Sequence, residues 1–281
     1  MAAASEYPRW DGLIADALVV IFCKVSLLER LAVIPRVCKS WAKVVSSPHC
    51  WQEIDILNWS CFFQPPGQLE RMLQMLVARS SGSLHKFCVS GLQSDYIFPS
   101  IADHAGCLHT LCVPGCNISD SMMEEIAGRL SSITFLDVSN CLNLTANGIE
   151  VIGKNCKLLE RFCRNMNENH WVSADKPSQD DEALAIAATM PNLKHLEMTN
   201  HVITSDGVRR ILCACPKLEF LDLRGFQYGQ LGDFYLQNKF PNLTVLWEDS
   251  PSMGSDVGVY YDCLSDDDEN LWDEFHGIFW L

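Results

Sequence analysis

A chain of 281 residues, 48% of them apolar, can bury the core of one large domain or two without disulfide or metal staples. The formal charge of −14, with no basic stripe, argues against nucleic acid as a partner, and no apolar run reaches the roughly 18–20 residues of a membrane span. Fourteen scattered Cys and no secretory pattern at the start fit reduced thiols and a place in the nucleus, the cytoplasm or both.

The opening MAAASEYPRWDGL reads as a short polar lead-in. From there to about residue 56 the chain is dense in large apolar residues, with helical spacing at Leu18, Ile21, Phe22 and Val25 and again at Val37, Trp41 and Val44. Pro35 and Pro48 punctuate it, which predicts three or four short helices. So thin a module with so many apolar side chains is expected to meet a partner with part of its surface. A further helical stretch, Gln68 to Arg79, links this module to the larger region C-terminal to it.

From Leu84 a short phrase returns at Leu108, Ile133, Leu159, Leu193, Leu218 and Leu243, with a second apolar residue three positions later in each copy. The steps are 24, 25, 26, 34, 25 and 25 residues, the spacing of leucine-rich repeats. Within LHTLCVPGC, ITFLDVSNC, LKHLEM and LEFLDLRG apolar and polar residues alternate, as a strand with one buried face requires. Each phrase leads through a polar turn to a helix-period stretch opened by a capping residue: Ser119, Thr145 and Thr204 precede faces built on Met122, Ile126 and Leu130, on Ile149 and Ile152, and on Val208, Ile211 and Leu212. Stacked units of this kind share one core, so the expected fold is α/β: a curved parallel sheet with helices on its convex side.

The order Leu13, Ile14, Leu18, Ile21, Phe22, Val25, Leu27, Leu31, then RVCKSW with Val37, Cys38 and Trp41, then SPHCWQEID with Pro48 and Trp51, resembles an F-box. With the repeats, it is similar to the plant F-box and leucine-rich-repeat proteins first known as interactors of the Skp adaptor. The resemblance implies a helical F-box at 9–56, a helical linker and cap at 57–83, repeats over 84–250 and an acidic tail at 251–281. It implies a non-catalytic substrate receptor of an SCF-type ubiquitin ligase, needing no cofactor. Leu13, Ile14, Leu18, Ile21, Phe22, Val25, Leu27, Leu31, Val37, Cys38, Trp41 and Trp51 would then bind the Skp-type adaptor and through it a cullin, while the repeats hold an unidentified protein substrate. Leu13-Ile14 stands where the family usually has Leu-Pro.

The strand positions between the buried ones should line the concave surface, and an aromatic and Arg mixture there is the composition of binding hot spots. Phe135, Asp137, Arg161, His195, Glu197, Phe220, Asp222 and Arg224 are therefore expected to touch the substrate. The longest step contains FCRNMNENHWVSADKPSQDD, an insertion that places Arg164 where an apolar residue belongs and Trp171 alone in a polar run. A lid contributing Trp171 and Arg164 to a binding site is one reading, and a Trp tucked against the sheet is the other.

His104, Cys107, His109, Cys112 and Cys116 lie close in sequence, but the repeat frame sends their side chains apart, so no metal site is expected there. Cys116, Cys141, Cys156 and Cys215 fall where the repeat buries a small residue. No Cys and His pair stands out as a nucleophile with its base, and no phosphate-cradling Gly loop occurs. About −10 of the charge lies in the last 42 residues, where Ser265 to Glu269 precede the apolar LWDEFHGIFWL. That end is read as a solvated tail, a cap for the solenoid or a docking motif. A repeat scaffold working outside any ligase is the rival reading of the whole chain.

Overall fold

The computed structural model describes residues 13–57, 67–167, 180–225 and 239–246. Four short helices open it: α1 (Ala15–Phe22), α2 (Leu27–Ala32), α3 (Ile34–Val37) and α4 (Lys39–Val45). Ser26 starts α2 with a capping box, its hydroxyl accepting from the Glu29 N–H while Glu29 Oε2 accepts from the Ser26 N–H at 3.2 Å. Cys38 starts α4, its Sγ accepting from the Trp41 N–H at 3.5 Å.

A 3-10 turn, Pro48–Trp51, leads into β1 (Glu53–Ile56) and, further on, α5 (Gln68–Ser80). Thereafter strand and helix alternate: β2 (Lys86–Val89), α6 (Ile97–Asp103), β3 (Thr110–Cys112), α7 (Asp120–Ile126), β4 (Phe135–Asp137), α8 (Ala146–Asn155), β5 (Arg161–Cys163), α9 (Asp180–Thr189), β6 (His195–Glu197), α10 (Ser205–Ala214), β7 (Phe220–Asp222) and β8 (Thr244–Leu246). Among the described residues the strands form one parallel sheet in the order β1 to β8, each beside its predecessor. That order is what identical stacked units produce, and the expected repeat fold is present.

β1 extends the repeat frame upstream of its expected start. Trp51, Ile54 and Ile56 occupy the first, fourth and sixth places of a phrase, all are fully buried, and Glu53–Ile56 pairs in register with Lys86–Val89. The boundary expected at residue 56 thus lies inside the first repeat. One hydrophobic cluster runs from Leu18 through Trp51 to Leu223, so the helical module and the solenoid share a core.

The turn after β2, β3, β4, β6 and β7 explains the recurring Gly or Asn at the eighth place of the phrase. Gly91, Gly115, Asn140, Asn200 and Gly225 all hold positive φ, from 56 to 78°, a region open chiefly to Gly and Asn. Helix spacing is set in the same exacting way on the convex side. Asp120 Oδ1 and Oδ2 accept from the N–H and Oγ1 of Thr145 at 2.8 and 2.6 Å, and Asp180 does the same for Thr204 at 2.7 and 2.8 Å. Each cap thereby ties one helix start to the next.

Gly153 lets α8 and α9 approach closely. A Cβ there would stand 1.9 Å from Thr189 Oγ1 and 2.6 Å from its Cβ. Gly153→Ala, although favourable for an isolated helix, is therefore expected to destabilise the protein by about 1–3 kcal/mol through overpacking, measured as a lower midpoint of chemical denaturation.

Candidate interaction surfaces

The N-terminal module divides the residues singled out by sequence into two groups. Leu18, Phe22, Leu27 and Trp51 are buried and hold the module together. Phe22 meets the Trp41 ring edge at 5.1 Å between centroids. Trp51 donates its indole N–H to the Val45 carbonyl at 2.7 Å, beneath the Arg79 guanidinium 5.1 Å from its ring centre. Cys38 serves as a helix cap, and Val25, Leu31 and Trp41 are half-buried against the core. The assignment of Leu18, Phe22, Leu27 and Trp51 to partner contact is corrected accordingly: α1 reads ADALVVIF, apolar apart from Asp16 in its first turn, and the side facing α4 is consumed internally.

What stays outside is Leu13, Ile14 at 71% exposure, Ile21 at 39% and Val37 at 53%, joined by Val20 and Val33, which the sequence pattern did not single out. Six of the ten large apolar side chains exposed among the described residues thus fall between residues 13 and 37. An apolar side chain on water gains nothing for the fold, so such a concentration marks a surface that another molecule covers.

The second surface is the concave face of the sheet. From β2 to β8 its third-place row runs Lys86, Thr110, Phe135, Arg161, His195, Phe220 and Thr244, one residue per strand in register. Four of these side chains are paired along the row. The Arg161 guanidinium lies 4.6 Å from the centre of the Phe135 ring, and His195 stacks on Phe220 at 4.3 Å with 10° between planes. Phe135, Arg161, His195 and Phe220, half-buried and adjacent, are brought together as the alternation in sequence predicts.

The fifth-place row does not present itself to solvent as expected. Asp137, Glu197 and Asp222 are buried in line with Cys88, Cys112 and Cys163. Each acid is occupied internally. Asp137 accepts from the Ser139 N–H at 2.9 Å, Glu197 pairs with His195 Nε2 at 2.7 Å and accepts from Asn165 Nδ2 at 2.8 Å, and Asp222 accepts from Arg224 Nη2 at 2.7 Å. Burial raises the Asp137 carboxyl above the ordinary range despite the help of Ser139. Burial also works to raise Glu197, but hydrogen bonds from His195 and Asn165 outweigh it and hold that carboxyl below its ordinary value.

Arg164 belongs to neither surface. It is 2% exposed, and its guanidinium donates to both Glu182 oxygens at 3.1 and 3.2 Å and to the carbonyls of Val138, Cys141 and Leu144 at 2.7–3.2 Å. Its assignment to a substrate lid is therefore corrected; it is an internal bracket between successive repeats. Trp171 and the tail beyond residue 250 lie outside the described residues.

The thiols follow the repeat frame. Cys116 and Cys141 donate to the carbonyls of Val89 and Val113, one repeat back, and burial pushes their pKa values up to about 12 and about 11. Cys156 and Cys215 are likewise raised to about 11 by burial. Such thiols stay protonated near neutral pH, the condition opposite to an activated nucleophile.

No family model matches the chain. It is 47% identical over 261 residues to the Arabidopsis thaliana F-box protein FBW2, covering 93% of this chain and 82% of that one. It is 30% identical to the Arabidopsis F-box protein SKIP1, over 77% of this chain and 78% of that one, and 30% identical to the putative F-box/LRR-repeat protein 23, over 80% of this chain and 50% of that one. Among solved structures it is similar to the crystal structure of the yeast Rad7 and Elc1 complex, with a TM-score of 0.47 and 15% identity over 62% of this chain and 44% of that one. Short apolar helices feeding directly into stacked strand and helix repeats, and identity at this level over nearly the whole length, make this chain a member of the F-box/LRR-repeat family.

Proposed function

We propose that this protein is the substrate-receptor subunit of an SCF-type ubiquitin ligase, working in the nucleus or cytoplasm. The observation that carries the reading is the concentration of exposed apolar side chains between Leu13 and Val37, in the module that gives the family its name. Ile14, Ile21 and Val37, with Leu13, Val20 and Val33, form the face offered to a Skp-type adaptor, and a cullin joins through that adaptor. The buried set of Leu18, Phe22 and Trp51 holds the face in shape.

The concave row of Phe135, Arg161, His195 and Phe220 takes the protein target. Two ring contacts already orient these side chains, so little further ordering is needed when a partner arrives. The receptor contributes no reacting group. It raises the concentration of the target beside the charged ubiquitin-conjugating enzyme, and that alone accelerates transfer.

Reconstitution with purified adaptor and cullin tests both faces. The wild-type chain is expected to co-elute with them, and Arg161→Ala with Phe220→Ala is expected to assemble equally well while losing a captured target. Failure of the wild type to assemble would leave the repeats as a scaffold outside the ligase.

A further inference from the structure

Where β5 and β6 lie side by side, three side chains of different chemistry converge on the concave face. Cys163 Sγ, an imidazole nitrogen of His195 and a Glu197 carboxylate oxygen all lie within 4.8 Å of one another. Their placement comes from the repeat. Cys163 and Glu197 are register partners on adjacent strands, and His195 precedes Glu197 by two positions, so all three point to one face. We infer that Cys163, His195 and Glu197 form a zinc-binding centre on the concave surface.

The donor set selects the ion. A thiolate with an imidazole and a carboxylate suits zinc, whereas calcium and magnesium take oxygen ligands. Three protein donors leave the fourth tetrahedral position to water or to a group delivered from the groove. Donors around tetrahedral zinc stand roughly 3.3–3.8 Å apart, so the trio closes on an ion with side-chain shifts of about 1 Å. His195 Nε2 and Glu197 Oε1, now 2.7 Å apart, would share the ion in place of a proton.

The surroundings resemble the outer support of a built metal site. Asn165 Nδ2 holds Glu197 Oε2 at 2.8 Å, leaving Oε1 for the ion, and the stacked Phe220 ring fixes the imidazole plane. Asp137, Cys163, Glu197 and Asp222 succeed one another in register, and Arg224 compensates Asp222 at the far end. A divalent cation would neutralise the middle of that row, where a carboxylate and a thiol are buried together. The trio alone would hold the ion, whether or not the chain binds an adaptor.

The full-length chain, stripped with chelator and kept reduced, is to be titrated with zinc against a chromophoric competitor, and separately with cobalt(II). One equivalent is expected to bind, with a thiolate-to-cobalt charge-transfer band. Cys163→Ala should abolish that band, and His195→Gln, at a partly buried position, should weaken zinc binding at least roughly tenfold with unchanged circular dichroism. A simple His195 to Glu197 hydrogen bond predicts no stoichiometric binding. Absence of binding by the wild type, a band that survives Cys163→Ala, or unchanged affinity in His195→Gln would each overturn the assignment.

Discussion

Replacing Arg164 by Met is expected to cost about 3–5 kcal/mol, a large share of the roughly 5–15 kcal/mol that stabilises a typical domain. The substitution nearly preserves volume, so the loss is electrostatic. Glu182 would be left buried with its principal partner gone, and the carbonyls of Val138, Cys141 and Leu144 would each lose a donor. Glu182→Leu combined with Arg164→Met should recover most of the stability, because no uncompensated charge then remains. Denaturant unfolding of the single and double variants checks this, and a loss below about 1 kcal/mol in the single variant would contradict it.

Arg164 also shows why one irregular repeat is tolerated. In the preceding copies Cys116 and Cys141 reach back to the carbonyls of Val89 and Val113. The next copy has Asn167 at that place, and Arg164 Nη1 takes the equivalent Val138 carbonyl at 3.2 Å. A cation from the sixth place thus substitutes for a thiol from the ninth.

The second large effect is expected at Trp51. Trp51→Ala should destabilise the chain by about 3–5 kcal/mol, since it empties the junction of the helical module and the first repeat and removes the hydrogen bond to Val45. Phe22→Asp should unfold the module. By contrast, Ile14→Asp and Val37→Asp replace side chains already more than half in water and should each change stability by less than about 0.5 kcal/mol. Thermal unfolding of the two sets separates scaffold from surface; equal losses in both would mean that the exposed residues are core.

The solenoid is legible in the sequence because its phrase repeats with few changes, and an eighth-place Gly or Asn marks the turn at Gly91, Gly115, Asn140, Asn200 and Gly225. The first strand is hidden by a Trp at its first place and by a step of 33 residues from Trp51 to Leu84. The concave aromatic and Arg row is legible from alternation alone. Burial of the fifth-place acids is not, because charge in a sequence does not reveal whether Asn165, His195 or Arg224 stands within reach to satisfy it. In the helical module the pattern names apolar residues correctly but cannot divide them. In a helix apolar but for Asp16, only the packing of α1 against α4 decides which apolar side is left for a partner.

Titration calorimetry of the full chain against a Skp-type adaptor tests the receptor role most directly, with the triple variant Ile14→Asp, Ile21→Asp and Val37→Asp measured beside the wild type. The wild type is expected to bind, and the variant, folded to the same thermal midpoint, to bind at least roughly 100-fold more weakly, or about 2.7 kcal/mol. No binding by the wild type, or equal affinity in the variant, would contradict that role for the exposed apolar face.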